Sequence, residues 1–354
     1  MRYVAARLLS WLDSGEAGVL VRLIGVDGSA PRELGATLLV GSDGTIAGSL
    51  SGGCVDGAVV ERARALLEDP DADVVVTDFG AGSDPDFDRG LTCGGSMRLL
   101  LQVIRPDDRA SLAAFAEAVD AGTAAALVTR IRGSRIAALS LDSAAQADDD
   151  RAIRLDVDAM SGEAIVVHHA LPGPRLVIVG ADAFAGALSE IAHLVGWKVT
   201  VVDPRAAFTT PERFPHAGTV VDWPDRYLAA TGSLLGPDDS VCVLSHDDRI
   251  DVPAIVAALD TDVGYLGAMG SRATHQDRMR RLRAAGVAES ALARIHSPIG
   301  LDIGARVPYE TAISVVAEMV AARAGRSGAA LSTTRGPIRP VRPDEQPTAL
   351  RPIA

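Results

Sequence analysis

Cysteine is scarce in this 354-residue chain, with three copies. Three are too few for a disulfide framework, and an odd count leaves at least one thiol free, so a reducing cytoplasm is the expected compartment. Positive charge is short as well: 34 Lys and Arg stand against 46 Asp and Glu, a formal net charge of −12. Nucleic-acid binding requires a basic footprint that neutralises phosphates, and this balance argues against it. No apolar run reaches the roughly 18 residues that span a bilayer, so no membrane span is expected. The opening "MRYVAARLLSWLDSG" is too broken by polar residues for the apolar core of a signal peptide. C-x-x-C pairs and spaced histidine sets are missing, which leaves a structural zinc site without support. Internal repeats are missing too.

What is present suits a globular protein of two domains, with 48% hydrophobic and 23% charged residues. Residues 1–14 carry apolar positions at helical spacing (Val4, Leu8, Leu9, Leu12) up to Gly15. "AGVLVRLIGVDG" reads as a buried strand, and "GATLLVGSDGTIAGSL" as a hairpin turning at Asp43-Gly44. A helix is predicted over about 55–68, strands in "DVVVTDFG" and "SMRLLLQVI", a helix near 108–121, then strands "AAALVTRI" and "RIAALSL". The small, acidic stretch "DSAAQADDDR" reads as a loop or linker, and the domain boundary falls between it and "LPGPR" at 171–175. From Leu176 the run "RLVIVGADAFAGALSEIAHLVGWKVTVVDPR" is strand, glycine turn, helix and strand. With "GTVVDW", "SVCVLSH" and "VGYLGAMG" as further strands, it predicts a doubly wound parallel sheet of Rossmann type. The expected fold class is α/β: a mixed α/β domain over 1–150, a Rossmann-like domain over 171–325, and a disordered Ser/Thr/Arg/Pro tail over 326–354.

Several residues carry chemistry. Cys54 follows Gly52 and Gly53 and opens a helix, whose positive end favours thiolate; glycine lets a ligand approach the backbone closely. The competing reading is a tight turn with a small buried thiol as filler. Cys93, before Gly94 and Gly95, repeats the argument in mirror image. Two such loops could converge on one ligand, a metal or an oxidisable pair. Cys242, mid-strand, reads as core, and "HH" at 168–169 as a solvated strand end. Arg32, beside Glu33 on a proline-containing loop, could clamp a phosphate or carboxylate or pair with a neighbouring acid. In the Rossmann turn Gly180, Asp182 and Ala185 stand where G-x-G-x-x-G is wanted, and Asp182 could cap the helix in place of a pyrophosphate. Asp203 ends the second strand, where a ribose-binding acid belongs. Gly270, Ser271 and Arg272 form a second strand-to-helix loop, with Ser271 as its cap. His246 and Asp247 sit at another strand end, for acid–base work, ligand binding or simple capping. Pro308 falls near the first position of the last long helix.

The segments "GSAPRELGATLLV", "GSLSGGCVDGAVV", "GLTCGG", "VVDPR", "SHD", "YLGAMGSR" and "PIGLDIGARVPYETAISVVAEM" resemble, in this order, the XdhC/CoxI accessory proteins of molybdenum hydroxylases. The resemblance covers most of residues 1–325. It implies a non-enzymatic accessory protein that binds molybdenum cofactor (molybdopterin). Such a protein assists sulfuration by a cysteine desulfurase and delivers the cofactor to a xanthine dehydrogenase-type apo-enzyme. It makes Cys54 and Cys93 the leading cofactor and metal contacts, fitting the affinity of molybdenum for soft thiolate, with glycine N–H groups and Arg32 assisting. The chain departs from the family's G-x-G at Asp182, so NAD(P) binding is expected to be weak or absent. The competing functions are an NAD(P)-dependent oxidoreductase with Cys54 and Cys93 as redox pair, and a nucleotide-sensing regulator. A homodimer is left open.

Overall fold

The computed structural model describes residues 4–15, 18–27, 32–53, 55–80, 96–142, 152–158, 162–335 and 338. They form two compact units that divide between Pro172 and Gly173.

The N-terminal unit is built on two antiparallel sheets. Strands β1 (Gly18–Asp27), β2 (Thr37–Gly41), β3 (Ile46–Gly48), β4 (Val74–Gly80) and β5 (Ser96–Val103) make the first, in the order β3-β2-β1-β5-β4. Strands β6 (Ala125–Arg132), β7 (Arg135–Asp142), β8 (Ile153–Val157) and β9 (Ala164–Ala170) make the second, in the order β7-β6-β9-β8. Because side chains alternate along a strand, β1 serves two cores. Val19, Val21 and Leu23 pack with Val59, Ala63 and Leu66, the apolar stripe of helix α2 (Asp56–Glu68). Leu20 faces the other way, into a cluster with Leu8 and Trp11 of α1 (Ala5–Ser14), Phe115 of α3 (Arg109–Ala121), and Leu127 of β6. Ile24, on the same face, packs with Leu100, Ile131, Ile153 and Val166 and joins the two sheets. Helix α1 stops at Gly15, whose φ of 76° is the left-handed conformation glycine adopts without strain.

The two strands between the acidic stretch and "LPGPR" belong to this unit, since β9 pairs with β6 and β8 with β9. The sequence places His168 and His169 at a solvated strand end; instead they lie inside β9, which runs on to Ala170. Alternation along β9 turns Ala164, Val166 and His168 inward, so His168 is 2% exposed and its ring centroid lies 5.1 Å from that of Phe115.

The C-terminal unit is a six-stranded sheet in the order β12-β11-β10-β13-β14-β15. The strands are β10 (Arg175–Val179), β11 (Lys198–Val202), β12 (Ala217–Val220), β13 (Ser240–Val243), β14 (Tyr265–Ala268) and β15 (Ile295–His296). Each neighbouring pair is parallel, and the order is that of a doubly wound dinucleotide-binding sheet. Helices α4 (Ala183–Leu194) and α9 (Pro308–Arg323) cover one face; the apolar positions Ala312, Val315, Val316 and Met319 of α9 recur at helical spacing. Helices α5 (Pro224–Thr231), α6 (Asp248–Leu259), α7 (Arg272–Ala284) and α8 (Glu289–Leu292) cover the other. Pro308 occupies the first turn of α9, where its missing N–H has no helical acceptor to lose. Cys242 is buried in the sheet core, its Sγ 3.9 Å from Met319 Sδ, and burial pushes its thiol well above the ordinary range. After α9 the Arg326 N–H bonds to Ala321 O, and Leu331–Thr333 makes a single 3₁₀ turn. Among the described residues no helix is long and apolar enough to cross a membrane.

Candidate functional site

The register of the first sheet brings several strand ends together. Because β1 runs antiparallel to β2 and β5, and β2 to β3 and β5 to β4 likewise, one end of the sheet holds the close of β1, β3 and β4. The starts of β2 and β5 lie at that same end. The connections carrying Arg32, Cys54 and Cys93 are joined to these strand ends. Cys54 itself, and Cys93, Gly94 and Gly95, lie outside the described residues.

What surrounds Cys54 in the chain is well defined. Asp56, in the first turn of α2, reaches back across the loop and accepts from Ser49 Oγ at 2.8 Å, Ser51 Oγ at 2.8 Å, Ser51 N at 3.1 Å and Leu50 N at 3.3 Å. Ser51 Oγ in turn accepts from Val55 N at 3.0 Å and Gly53 N at 3.3 Å, and Ser49 Oγ accepts from Gly52 N at 3.0 Å. Gly52 and Gly53 have φ of 70° and 117°, conformations costly for any other residue, and a Cβ at either would meet nothing within 4 Å. Bare backbone is therefore presented outward from a loop fixed on its inner side. Their N–H groups already bond to serine hydroxyls, so a ligand seated here meets the glycine Cα and carbonyl surface first. Arg32 is brought to this loop: its Nη1 donates to Ser49 O at 3.3 Å and its Nη2 to Glu33 Oε1 at 3.4 Å. Of the two roles raised for Arg32, the pairing with Glu33 is the one seen here.

In the C-terminal unit the predicted residues gather at the carboxyl ends of the parallel strands, where open α/β sheets bind ligands. The crevice lies between β10 and β13, where the strand order reverses. There Gly180, with φ of 104°, lets two chain crossings touch; a Cβ would sit 2.9 Å from Ser245 N. Asp182 caps α4 by accepting from Ala185 N at 2.8 Å, which fills the position a pyrophosphate oxygen would take. Asp203 is buried and already engaged: it accepts from Ala181 N at 3.0 Å and Arg205 N at 2.9 Å. Arg205 closes a fork on the same carboxylate, Nε to Oδ1 at 2.9 Å and Nη2 to Oδ2 at 2.7 Å. Burial alone would raise the Asp203 carboxyl; the fork and the N–H bonds outweigh it and hold the group below its ordinary value. The ribose acid is thus spoken for by its own chain.

The remaining predicted positions divide between capping and exposure. Ser271 caps α7, accepting from Thr274 N at 3.1 Å, behind Gly270 at φ 147°. Arg272 is exposed at the first position of α7. Asp247 caps α6 and is forked by Arg249, whose hydrogen bonds bring its carboxyl down to about 2. His246 is exposed beside it. Among the described residues no group of three or more His, Cys, Asp or Glu side chains is arranged to hold a metal ion.

Sequence reasoning misses Asp56 and Arg205. The signal for Asp56 is an acid two residues after the cysteine behind a serine-rich turn; for Arg205, an arginine one proline beyond the ribose acid.

A loop-bearing antiparallel unit followed by a doubly wound unit with a self-occupied nucleotide turn defines a two-part α/β protein. The matches to known proteins follow that division: residues 11–78 match the XdhC and CoxI family, and residues 176–319 the XdhC Rossmann domain. The chain belongs to the XdhC/CoxI family. It is 28% identical over 324 residues to a probable xanthine dehydrogenase subunit of Bacillus subtilis, covering 88% of this chain and 95% of that one. It is 29% identical over 315 residues to the molybdenum cofactor insertion chaperone PaoD of Escherichia coli, covering 88% and 85%. A crystal structure of a xanthine dehydrogenase from Bacillus halodurans superposes with a TM-score of 0.68 at 26% identity, covering 93% of this chain and 98% of that one.

Proposed function

We propose that this protein is a maturation chaperone that binds molybdenum cofactor and supports its insertion into a xanthine dehydrogenase-type molybdenum hydroxylase. The near full-length likeness to a molybdenum cofactor insertion chaperone carries the reading. The cargo loop on this reading is Ser49–Cys54, with Cys54 supplying a soft thiolate and Gly52 and Gly53 a backbone that a flat pterin can approach. Arg32, bonded to Ser49 O, stands beside that loop and adds positive charge for an anionic cargo. Cys93, on a connection joined to the same sheet end, is the second thiol. Sulfuration with a cysteine desulfurase belongs to the same reading, since a thiolate can hold the metal while a terminal ligand is exchanged.

The self-occupied Rossmann turn speaks against an NAD(P)-dependent oxidoreductase. With Asp182 on the helix N-terminus and Arg205 on Asp203, both anchor points of a dinucleotide have protein partners. The test is a strain lacking the protein. Its molybdenum hydroxylase should accumulate as polypeptide with low activity and with molybdenum or its sulfur ligand missing. Full activity in every such enzyme of the strain refutes the chaperone reading.

A further inference from the structure

The loop that leaves β11 at Asp203 holds an arrangement that no part of the chaperone reading uses. It is tightly wound: Phe208 N donates to Arg205 O at 3.0 Å, Thr209 Oγ1 to Asp203 O at 3.2 Å, and Phe214 N to Thr210 O at 3.2 Å. This winding sets two guanidiniums against one ring, with Arg205 Cζ 4.8 Å and Arg213 Cζ 5.3 Å from the centroid of Phe208. The ring itself is 45% exposed. Both arginines are also tied to Ala181 in the Rossmann turn. Arg213 Nη1 donates to Ala181 O at 3.3 Å, and Ala181 N donates to the Asp203 carboxylate that Arg205 grips.

A guanidinium offers paired N–H edges that match an oxyanion, one from Nε and Nη2 and one from Nη1 and Nη2. Each arginine here has one edge to spare. Arg205 spends the Nε/Nη2 edge on Asp203, and its Nη1 has no acceptor among the described residues. Arg213 spends Nη1 on Ala181 O and on Phe208 O at 2.8 Å, which leaves its Nε/Nη2 edge. Both side chains are exposed. The acids of this crevice are already committed: Asp203 to Arg205, Asp247 to Arg249, and Asp182 to Ala185 N at the start of α4.

We propose that this end of the crevice binds a ribose phosphate monoester, its phosphate held by the free edges of Arg205 and Arg213. Position supplies the ribose: in a doubly wound sheet the acid ending the second strand is the one that meets the sugar of a nucleotide. A bare carboxylate there favours a free hydroxyl. A carboxylate already forked by arginine presents the guanidinium instead, and a guanidinium favours phosphate. A monoester has enough free oxygens to meet both edges at once. Phe208 adds an exposed apolar ring beside the two charges for the base or sugar to cover. A pyrophosphate gains nothing, because Asp182 holds its seat at α4. The ligand is a mononucleotide rather than a dinucleotide.

Calorimetry on the full chain tests this with adenosine 2′-phosphate, adenosine and inorganic phosphate as probes. Adenosine 2′-phosphate should bind more tightly than either of its parts. Arg205→Ala and Arg213→Ala should each weaken it roughly tenfold or more, the scale of a charge-assisted hydrogen bond. Arg205→Lys keeps the charge but loses the planar edge, so it should not restore binding. Arg205→Ala also uncovers Asp203, so the same variant should gain affinity for NAD; damage to the fold would weaken both ligands together. No binding of adenosine 2′-phosphate at millimolar concentration, equal affinity for inorganic phosphate, or affinity unchanged in both alanine variants overturns the proposal. Molybdenum enters none of these measurements, so their outcome is separate from that of the chaperone reading.

Discussion

Asp203 and Arg205, two residues apart at the end of β11, grip each other as a fork, Arg205 Nη2 lying 2.7 Å from Asp203 Oδ2. Together with the Asp182 cap, this gives protein partners to both groups that a dinucleotide would use. Calorimetry should show weak or absent NAD binding to the unaltered protein. Asp182→Gly removes the negative charge at α4 and should improve affinity, at a stability cost of only a few tenths of a kcal/mol, as expected for glycine at an N-cap. Adding Arg205→Ala should improve it further. Micromolar NAD binding by the unaltered chain would overturn this reading of the turn.

Asp56 fixes the inner side of the Cys54 loop through Ser49, Leu50 and Ser51. Asp56→Ala should lower stability by about 1–3 kcal/mol, the scale of leaving buried polar partners unpaired. Cofactor retention should fall by much more than that loss of folded protein explains. Molybdenum content measured per folded molecule separates the two effects, and retention in step with folding would reduce Asp56 to a structural cap.

Cys54 and Cys242 should respond oppositely to serine. Cys54→Ser keeps the volume and removes the soft ligand, so it should abolish molybdenum retention with little change in melting temperature. Cys242→Ser buries a hydroxyl where Cys242 Sγ now contacts Met319 Sδ, and should cost roughly 1–3 kcal/mol of stability with retention intact. A Cys54→Ser protein purified with full molybdenum would take Cys54 out of the site.

His168 gives the N-terminal unit an acid limit. Burial holds it neutral and far below its ordinary value of 6.5, so the unfolded chain binds a proton that the folded chain refuses. Stability from this residue is complete above pH 6.5 and declines as pH falls toward the folded value, at up to about 1.4 kcal/mol per pH unit. Denaturant unfolding from about pH 7.5 to about pH 5 should show the decline, and His168→Leu should flatten it. An identical slope in the leucine variant would place the acid sensitivity elsewhere.

Much of the fold is legible because its signals are local. The doubly wound class of the C-terminal sheet follows from alternating apolar strands and glycine turns, and the caps at Asp182 and Ser271 follow from side chains that reach only three residues ahead. The cysteine loops stand out because Cys54 follows a glycine pair and Cys93 precedes one. What stays hidden depends on contacts that sequence spacing does not encode. Arg22 sits in "VLVRLIG", an apolar run with one misfit, and its partner Thr129 is 107 positions away on the other sheet. His168 looks like the end of a strand because its pairing with Leu127 is invisible until both sheets are assembled. Asp56 looks like an ordinary first-turn acid; only the fold of the preceding serines turns it inward.

β1 is bonded along both edges, to β2 and β5, and packed on both faces. A strand so enclosed has no path to solvent short of dismantling the whole unit, so its amides should be among the last to exchange in heavy water. The loop beyond Gly48 is held instead by the side-chain bonds of Asp56 and its serines. On the proposed reading, handing over a cargo asks only for those few side-chain bonds to part, and the frame beneath them can stay shut while the protein empties and refills.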